Sequence, residues 1–155
     1  MGLDPDVSPI LDACLKVGGA PEACIGQGAD ACRNVELGAP NPIQQGGWCD
    51  QAEAEYWKVR RTYATTRLLG LLRGAARADF LAQQARWAEL DQTNFPCDRV
   101  DRFWPVGYSC TRRNMHIKAI RAIQVKDSLS LAQECLDADS AFRIDSLCAD
   151  VVGTK

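Results

Sequence analysis

The residues with the most chemistry to offer are eight cysteines, Cys14, Cys24, Cys32, Cys49, Cys97, Cys110, Cys135 and Cys148. Thiolates at close spacing bind zinc, and structural zinc sites draw on cysteine pairs two to four residues apart. The tightest interval here, Cys24 to Cys32, encloses seven residues, and His116 is the only histidine, so no metal site is expected. A helical hairpin carrying two C-x9-C pairs is excluded as well, because only Cys14 to Cys24 has that spacing. An even, dense set of cysteines in a short chain instead signals a disulfide framework. Sequence does not dictate the connectivity. Nearest-neighbour pairing is the expectation (Cys14 with Cys24, Cys32 with Cys49, Cys97 with Cys110, Cys135 with Cys148), since each link would close a loop between adjacent helices. The main rival joins Cys49 to Cys97, the start of one antiparallel helix to the end of the next. Thiol-redox catalysis lacks its C-x-x-C motif.

Other candidate groups each have a plainer reading. Asp50 and Glu53 could work as paired carboxylates, although acids in the first turn of a helix are expected from its dipole alone. Gln84, Trp87 and Asp91 could form a polar site with an apolar wall; at helical spacing they read as a core tryptophan with hydrogen-bonding neighbours. His116 has neither an acid nor a nucleophile near it in sequence and reads as structural. No Ser/His/Asp signature, Gly-rich phosphate loop or metal motif is present, so neither enzyme activity nor a cofactor is expected.

The stretch CDRVDRFWPVGYSC gathers Phe103, Trp104 and Tyr108 with Asp101 and Arg102, where Pro105 and Gly107 bar regular structure. Closed by a Cys97–Cys110 link, this loop would present aromatic anchors to a protein partner with its ordering cost already met. The plainer alternative folds Phe103 and Trp104 back over one end of the molecule.

The elements that must position these groups are helical. Ser8-Pro9 reads as an N-cap with Pro at the first helical position, leading into ILDACLKV and stopped by Gly18-Gly19. Pro21-Glu22 opens a second short helix, ACIGQGADACRNV. Residues 36 to 47, ELGAPNPIQQGG, read as a loop. In the first long helix Cys49, Ala52, Tyr56, Val59, Tyr63, Thr66 and Gly70 recur at steps of three and four, with Trp57, Ala64, Leu68 and Leu71 widening this stripe into a core face. Gly70 and Gly74 suit a turn, the alternative being a helix that bends through LLGLLRG without stopping. A second long helix aligns Phe80, Gln84, Trp87 and Asp91 and ends before Pro96. A third begins near Ser109 with Ile117, Ile120 and Ile123 as its ridge, and Asp127 and Asp139 stand as N-caps of two short helices in the tail. The fold class is all-α: a disulfide-linked helical bundle with three longer central helices and short flanking helices.

At 155 residues and 46% apolar composition, one domain with a true core is expected: short N-terminal helices and a loop over 1–47, the bundle over 48–126 and a helical extension over 127–155. No run approaches the ~18 apolar residues of a membrane span. Disulfides imply an oxidising compartment, yet MGLDPDVSPI has no basic start and no apolar core of a signal peptide. The expectation is a mature exported protein, periplasmic or extracellular, with a cytosolic protein of eight free thiols as the alternative. Net charge is −2, unevenly spread: nine acids and two bases over 1–55, fourteen bases and five acids over 56–126, six acids and two bases over 127–155. That asymmetry fits acidic terminal segments folded against a basic bundle, or a polyanion-binding face. The alternation of basic and aromatic residues expected of a nucleic-acid groove is missing, so nucleic acid is not the expected partner.

Three spaced patterns resemble the lysozyme inhibitor LprI-like family of bacterial envelope proteins. They are C-D-x-A-E-x-E-Y-W-x(5)-Y from Cys49 to Tyr63, L-x-x-Q-x-x-W-x-x-x-D-x(5)-C from Leu81 to Cys97, and G-x-x-C-x-x-R from Gly107 to Arg113. Ala23 to Cys32, A-C-I-G-x-x-A-D-A-C, is similar to a segment upstream in some members. The resemblance spans residues 14 to about 123. Leu90-Asp91 stands where an Arg-Asp pair is usual, a Thr usual in the final helix is not evident, and the tail beyond Lys126 lies outside the pattern. The resemblance implies a small helical, disulfide-linked protein exported to the periplasm or cell surface, in a family with lysozyme-inhibiting members, and its shared positions look like framework. The resulting expectation is a binding protein that blocks a peptidoglycan-cleaving enzyme, possible partners being lysozyme-type hydrolases. The alternative is a structural component of an envelope or particle assembly.

Overall fold

The computed structural model describes residues 6–36, 42–94, 106–137 and 146–151, with side chains over 6–33, 48–91, 111–137 and 148–151. Helix α1 (Ser8–Lys16) is followed by a 3-10 turn (Pro21–Cys24), α2 (Gln27–Glu36), α3 (Pro42–Leu71), α4 (Gly74–Asn94), α5 (Val106–Asp137) and α6 (Ser146–Ala149). This is the expected all-α class, with three long helices and short flanking ones. The one departure among the described residues is an isolated antiparallel bridge between Leu72 and Val151. No described helix is long and apolar enough to cross a membrane.

Three disulfides follow the nearest-neighbour expectation: Cys14–Cys24, Cys32–Cys49 and Cys135–Cys148. Because Cys49 is joined to Cys32, the rival Cys49–Cys97 link is excluded. The expected Cys97–Cys110 link lies outside the described residues. Helices as short as α1 and α2 are marginal alone, and the covalent ties hold α1 to the 3-10 turn and α2 to α3. Such links persist in oxidising compartments.

Several boundaries differ from those read in the sequence. Ser8 is the first residue of α1 and not its cap; the carboxylate of Asp6 accepts the Ser8 N–H at 3.0 Å, so the capping group sits two residues earlier. The second short helix is broken in two, because Gly26 takes a left-handed φ of +91° between the 3-10 turn and α2. Residues 42–47, expected in a loop, are the opening turns of α3. Val106, Gly107 and Tyr108, expected in the aromatic loop, are likewise helical, since α5 starts at Val106. Asp127 lies inside α5, a helix of 32 residues that continues past it because Leu129, Ala132 and Cys135 extend its buried face, and Asp139 lies outside the described residues. The turn between α3 and α4 is present, with Gly74 at φ +59° as the first residue of α4.

The chain divides into two compact units, Met1–Arg60 with Phe95–Ile123, and Arg61–Asn94 with Gln124–Lys155. In the first, Leu11 of α1, Ala29 and Cys32 of α2, Ala54 and Trp57 of α3, and Met115, Ala119 and Ala122 of α5 form one core. In the second, Ala64, Leu68 and Leu72 meet Phe80 and Trp87 of α4 and Val125, Leu129 and Ala132 of α5. The core face read for α3 holds at Cys49, Trp57, Ala64 and Leu68 but not along the rest of its stripe. Val59 is 59% and Tyr63 63% exposed, while the buried line runs through Asp50, Glu53, Trp57, Ala64 and Leu68. On α5 the buried face of the first unit is Met115, Ala119, Ala122 and Ile123, while Ile117 and Ile120 are only half-buried.

Close packing in the first unit depends on Gly28, where a methyl group would sit 2.9 Å from Val7 Cβ, 3.0 Å from Leu11 Cδ1 and 3.1 Å from Glu53 Oε1. Gly28→Ala is expected to cost about 1–3 kcal/mol in urea denaturation. Gly19, with nothing within 4 Å of its added carbon, should tolerate alanine with a change inside about 0.5 kcal/mol.

Candidate functional site

The first N–H groups of any helix lack intrahelical acceptors, and α2 opens on Gly26-Gln27-Gly28, which carries no acidic or hydroxyl side chain to cap it. The acceptor comes from α3. Glu53, 0% exposed, takes the Gly26 N–H on Oε2 at 2.7 Å and the Ala29 N–H on Oε1 at 2.9 Å. Trp57 Nε1, one turn further along α3, donates to the same Oε2 at 2.9 Å. Three donors and the positive end of the α2 dipole compensate the buried charge.

Asp50, also 0% exposed, lies one turn before Glu53 and serves the other flank of α2. Its Oδ1 accepts from Arg33 Nη2 at 2.7 Å and Arg112 Nη1 at 3.3 Å, and its Oδ2 accepts from Thr111 Oγ1 at 3.4 Å. Arg112 also donates to both carboxylate oxygens of Asp30, at 3.0 and 3.5 Å. Burial pushes the Asp50 carboxyl above the usual carboxylate range, against the pull of Arg33 and Arg112. Burial lowers Arg112, but its bonds to Asp30 and the charges of Asp30 and Asp50 outweigh this and leave it above its ordinary value. Gly26 belongs to the same arrangement, because a side chain there would collide with the Arg112 guanidinium.

The sequence expectation for Asp50 and Glu53 is thus corrected. With α3 starting at Pro42 they lie beyond its first turn, where the dipole no longer acts. Their acceptor positions are engaged in binding α2 and α5, so drawing a proton from a substrate would require releasing those partners. Among the described residues no group of three or more His, Cys, Asp or Glu side chains could hold a metal ion. His116 is exposed on α5.

Tyr56 turns to the other side of α3. Its phenol donates to Asp12 Oδ1 of α1, and Arg60 lies 5.5 Å from its ring centre while donating to its oxygen at 3.2 Å. Arg60 also approaches Asp12, at 3.7 Å. Burial and the bond to Asp12 push the Tyr56 hydroxyl up to about 12. In this unit acidic N-terminal residues do pair with basic residues of the middle stretch, Asp12 with Arg60 and Asp30 with Arg112.

The second unit repeats the capping device. Asp150 Oδ2 accepts the Ala76 N–H in the first turn of α4 at 3.0 Å, and its backbone oxygen accepts the Arg73 N–H at 2.8 Å. Trp87 is buried as expected, with the Arg61 guanidinium 5.5 Å from its ring centre and bonded to Gln84 Oε1 at 2.8 Å. Gln84 is half-buried, as is Asp91. Of the residues singled out for partner binding, Asp101, Arg102, Phe103 and Trp104 lie outside the described residues, and Tyr108 is described only as part of the α5 backbone.

Glu53→Gln leaves one acceptor oxygen where three donors converge and should cost about 2–4 kcal/mol in chemical denaturation. The Tyr56 phenol is neutral in the fold to higher pH than its ordinary 10.0. Its contribution to stability is therefore full below pH 10 and lost as pH rises toward 12. Ultraviolet titration of tyrosinate should show one such late component, absent in Tyr56→Phe. Turning to known proteins, no family model matches this chain, and comparison with curated proteins and with solved structures returns no match.

Proposed function

We propose that the chain is a binding protein of the periplasm or extracellular space that inhibits a peptidoglycan-cleaving enzyme of the lysozyme type by occluding its cleft. The observation that carries this reading is the use made of the positions on which the LprI-like resemblance rests. Cys32 and Cys49 are joined to each other, Asp30 and Asp50 share Arg112, and Glu53 holds Gly26, Ala29 and Trp57. Residues spent on internal bonds serve shape, and shape is what a blocking protein requires. The disulfides favour an exported setting.

In this reading the protein transforms nothing. The contact is made by Asp101, Arg102, Phe103 and Trp104 together with Tyr108 in the opening turn of α5, an assignment that rests on the sequence. An aromatic side chain enters the sugar-binding groove, and Asp101 meets cationic groups around it. Titration of purified protein into several lysozyme types should abolish lytic activity near equimolar ratio, and Trp104→Ala should weaken inhibition by roughly 30-fold, as expected for an aromatic anchor. Undiminished lysis at a large molar excess, across all types tried, would remove the assignment.

A further inference from the structure

The first unit carries a groove of about 320 Å³ that the cleft-blocking reading does not use. One side is α1 with the residues leading into it, and the other is α3. Val7 is a buried wall residue, and Ala52, Tyr56 and Val59 line the opposite side. Val59 is 59% exposed, large for a valine beside a packed helix. The Tyr56 ring is held at both ends, edge-on to Trp57 with ring centres 5.3 Å apart and by its hydroxyl on Asp12. A wall fixed in this way loses little freedom when something lies against it.

The rim is acidic. Of the residues lining the groove Asp6, Asp12 and Glu55 are acidic and Arg60 is basic, and Arg60 approaches Asp12. Asp12 is engaged by Tyr56 and Arg60. Asp6 accepts the Ser8 N–H, which occupies one of the roughly four acceptor positions of a carboxylate. Glu55 meets Lys58 only at 4.0 Å, with both side chains at least 60% exposed, a weak pairing.

We propose that this groove docks a basic side chain, lysine or arginine, of a protein partner. Such a side chain has an apolar stem and a cationic head. The stem matches the wall of Ala52, Tyr56 and Val59, and the head matches the carboxylate excess at the rim. The inference deepens the binding-protein reading, and rests on it for its biological partner, by adding a second contact remote in sequence from the aromatic loop.

The test uses the full chain labelled with nitrogen-15 and titrated with pentalysine amide, followed by amide shifts. Asp6→Lys with Glu55→Lys is the reversal variant; both residues are exposed and outside the core, and its thermal melt checks that the fold is kept. Shifts concentrated at residues 6, 12, 55, 56 and 59, with binding at least about fivefold weaker in the reversal variant, are expected. Shifts spread equally over other exposed acids such as Asp79 and Glu134, or unaltered by the reversal, overturn the proposal. Lysozyme inhibition measured in parallel separates the two readings. Localised pentalysine binding without inhibition supports the groove and sinks the lysozyme assignment, whereas inhibition fully retained by the reversal variant overturns the groove as a contact with that enzyme.

Discussion

A buried glutamate holding the start of another helix is the constraint from which the first unit follows. Glu53 leaves water entirely, and burying an ionised carboxylate costs several kcal/mol unless donors surround it. The donors are two backbone N–H groups of the α2 entrance and the indole of Trp57. That requirement sets where α2 lies against α3 and turns Trp57 inward. It also explains the glycines: Gly26 supplies the left-handed turn beside Arg112, and Gly28 lets Val7, Leu11 and the Glu53 carboxylate come within contact of the α2 backbone. The Cys32–Cys49 link then ties the same two helices covalently.

Unit two solves the same problem with other residues. Asp150, close after α6, caps α4, Gly74 provides the left-handed entrance, and Cys135–Cys148 ties the capping segment to α5. In both units a helix start is satisfied by a carboxylate from a distant part of the chain, a glycine admits it, and a disulfide secures one of the segments involved. Polar groups here choose among packings that apolar contacts alone would leave nearly equivalent, since Ala29, Ala54, Ala119, Ala122 and Ala132 offer little shape to lock against.

This division of labour governs how far the sequence could be read. Helix identity, the glycine turn after α3 and the three described disulfides were legible, because proline, glycine and cysteine act locally or through nearest neighbours. The core face of α3 was legible in part: Cys49, Trp57, Ala64 and Leu68 were read onto it and are buried, whereas Val59 and Tyr63 were read onto it and are exposed. Its period of three and four passes through Asp50 and Glu53, which an apolar count treats as solvent-facing, so the neighbouring Val59 and Tyr63 line looked more like a core than the true one. On α5 the isoleucines outweighed Ala119 and Ala122 in any hydropathy count, yet small residues are what permit close helix approach. The loss of helix expected at Gly46-Gly47 does not occur: α3 runs through both glycines to Cys49, which is tied to α2. The Asp50–Glu53 site was visible only as two acids, because its meaning depends on Gly26, Ala29 and Arg112, brought there by the fold.

The helix α5 contributes to both cores, and each unit is closed by a long-range bond: Arg112 of α5 bonds to Asp30 across 82 positions, and Ala76 of α4 waits for Asp150 across 74. Helical proteins usually close through short-range contacts and gain speed from it. Here the emerging polypeptide can form its first three helices, yet neither body can lock until the last third has arrived. A chain delivered from its N-terminus through a narrow translocation pore would consequently remain threadable until late, and its cysteines would meet oxidant before the scaffold around them had set.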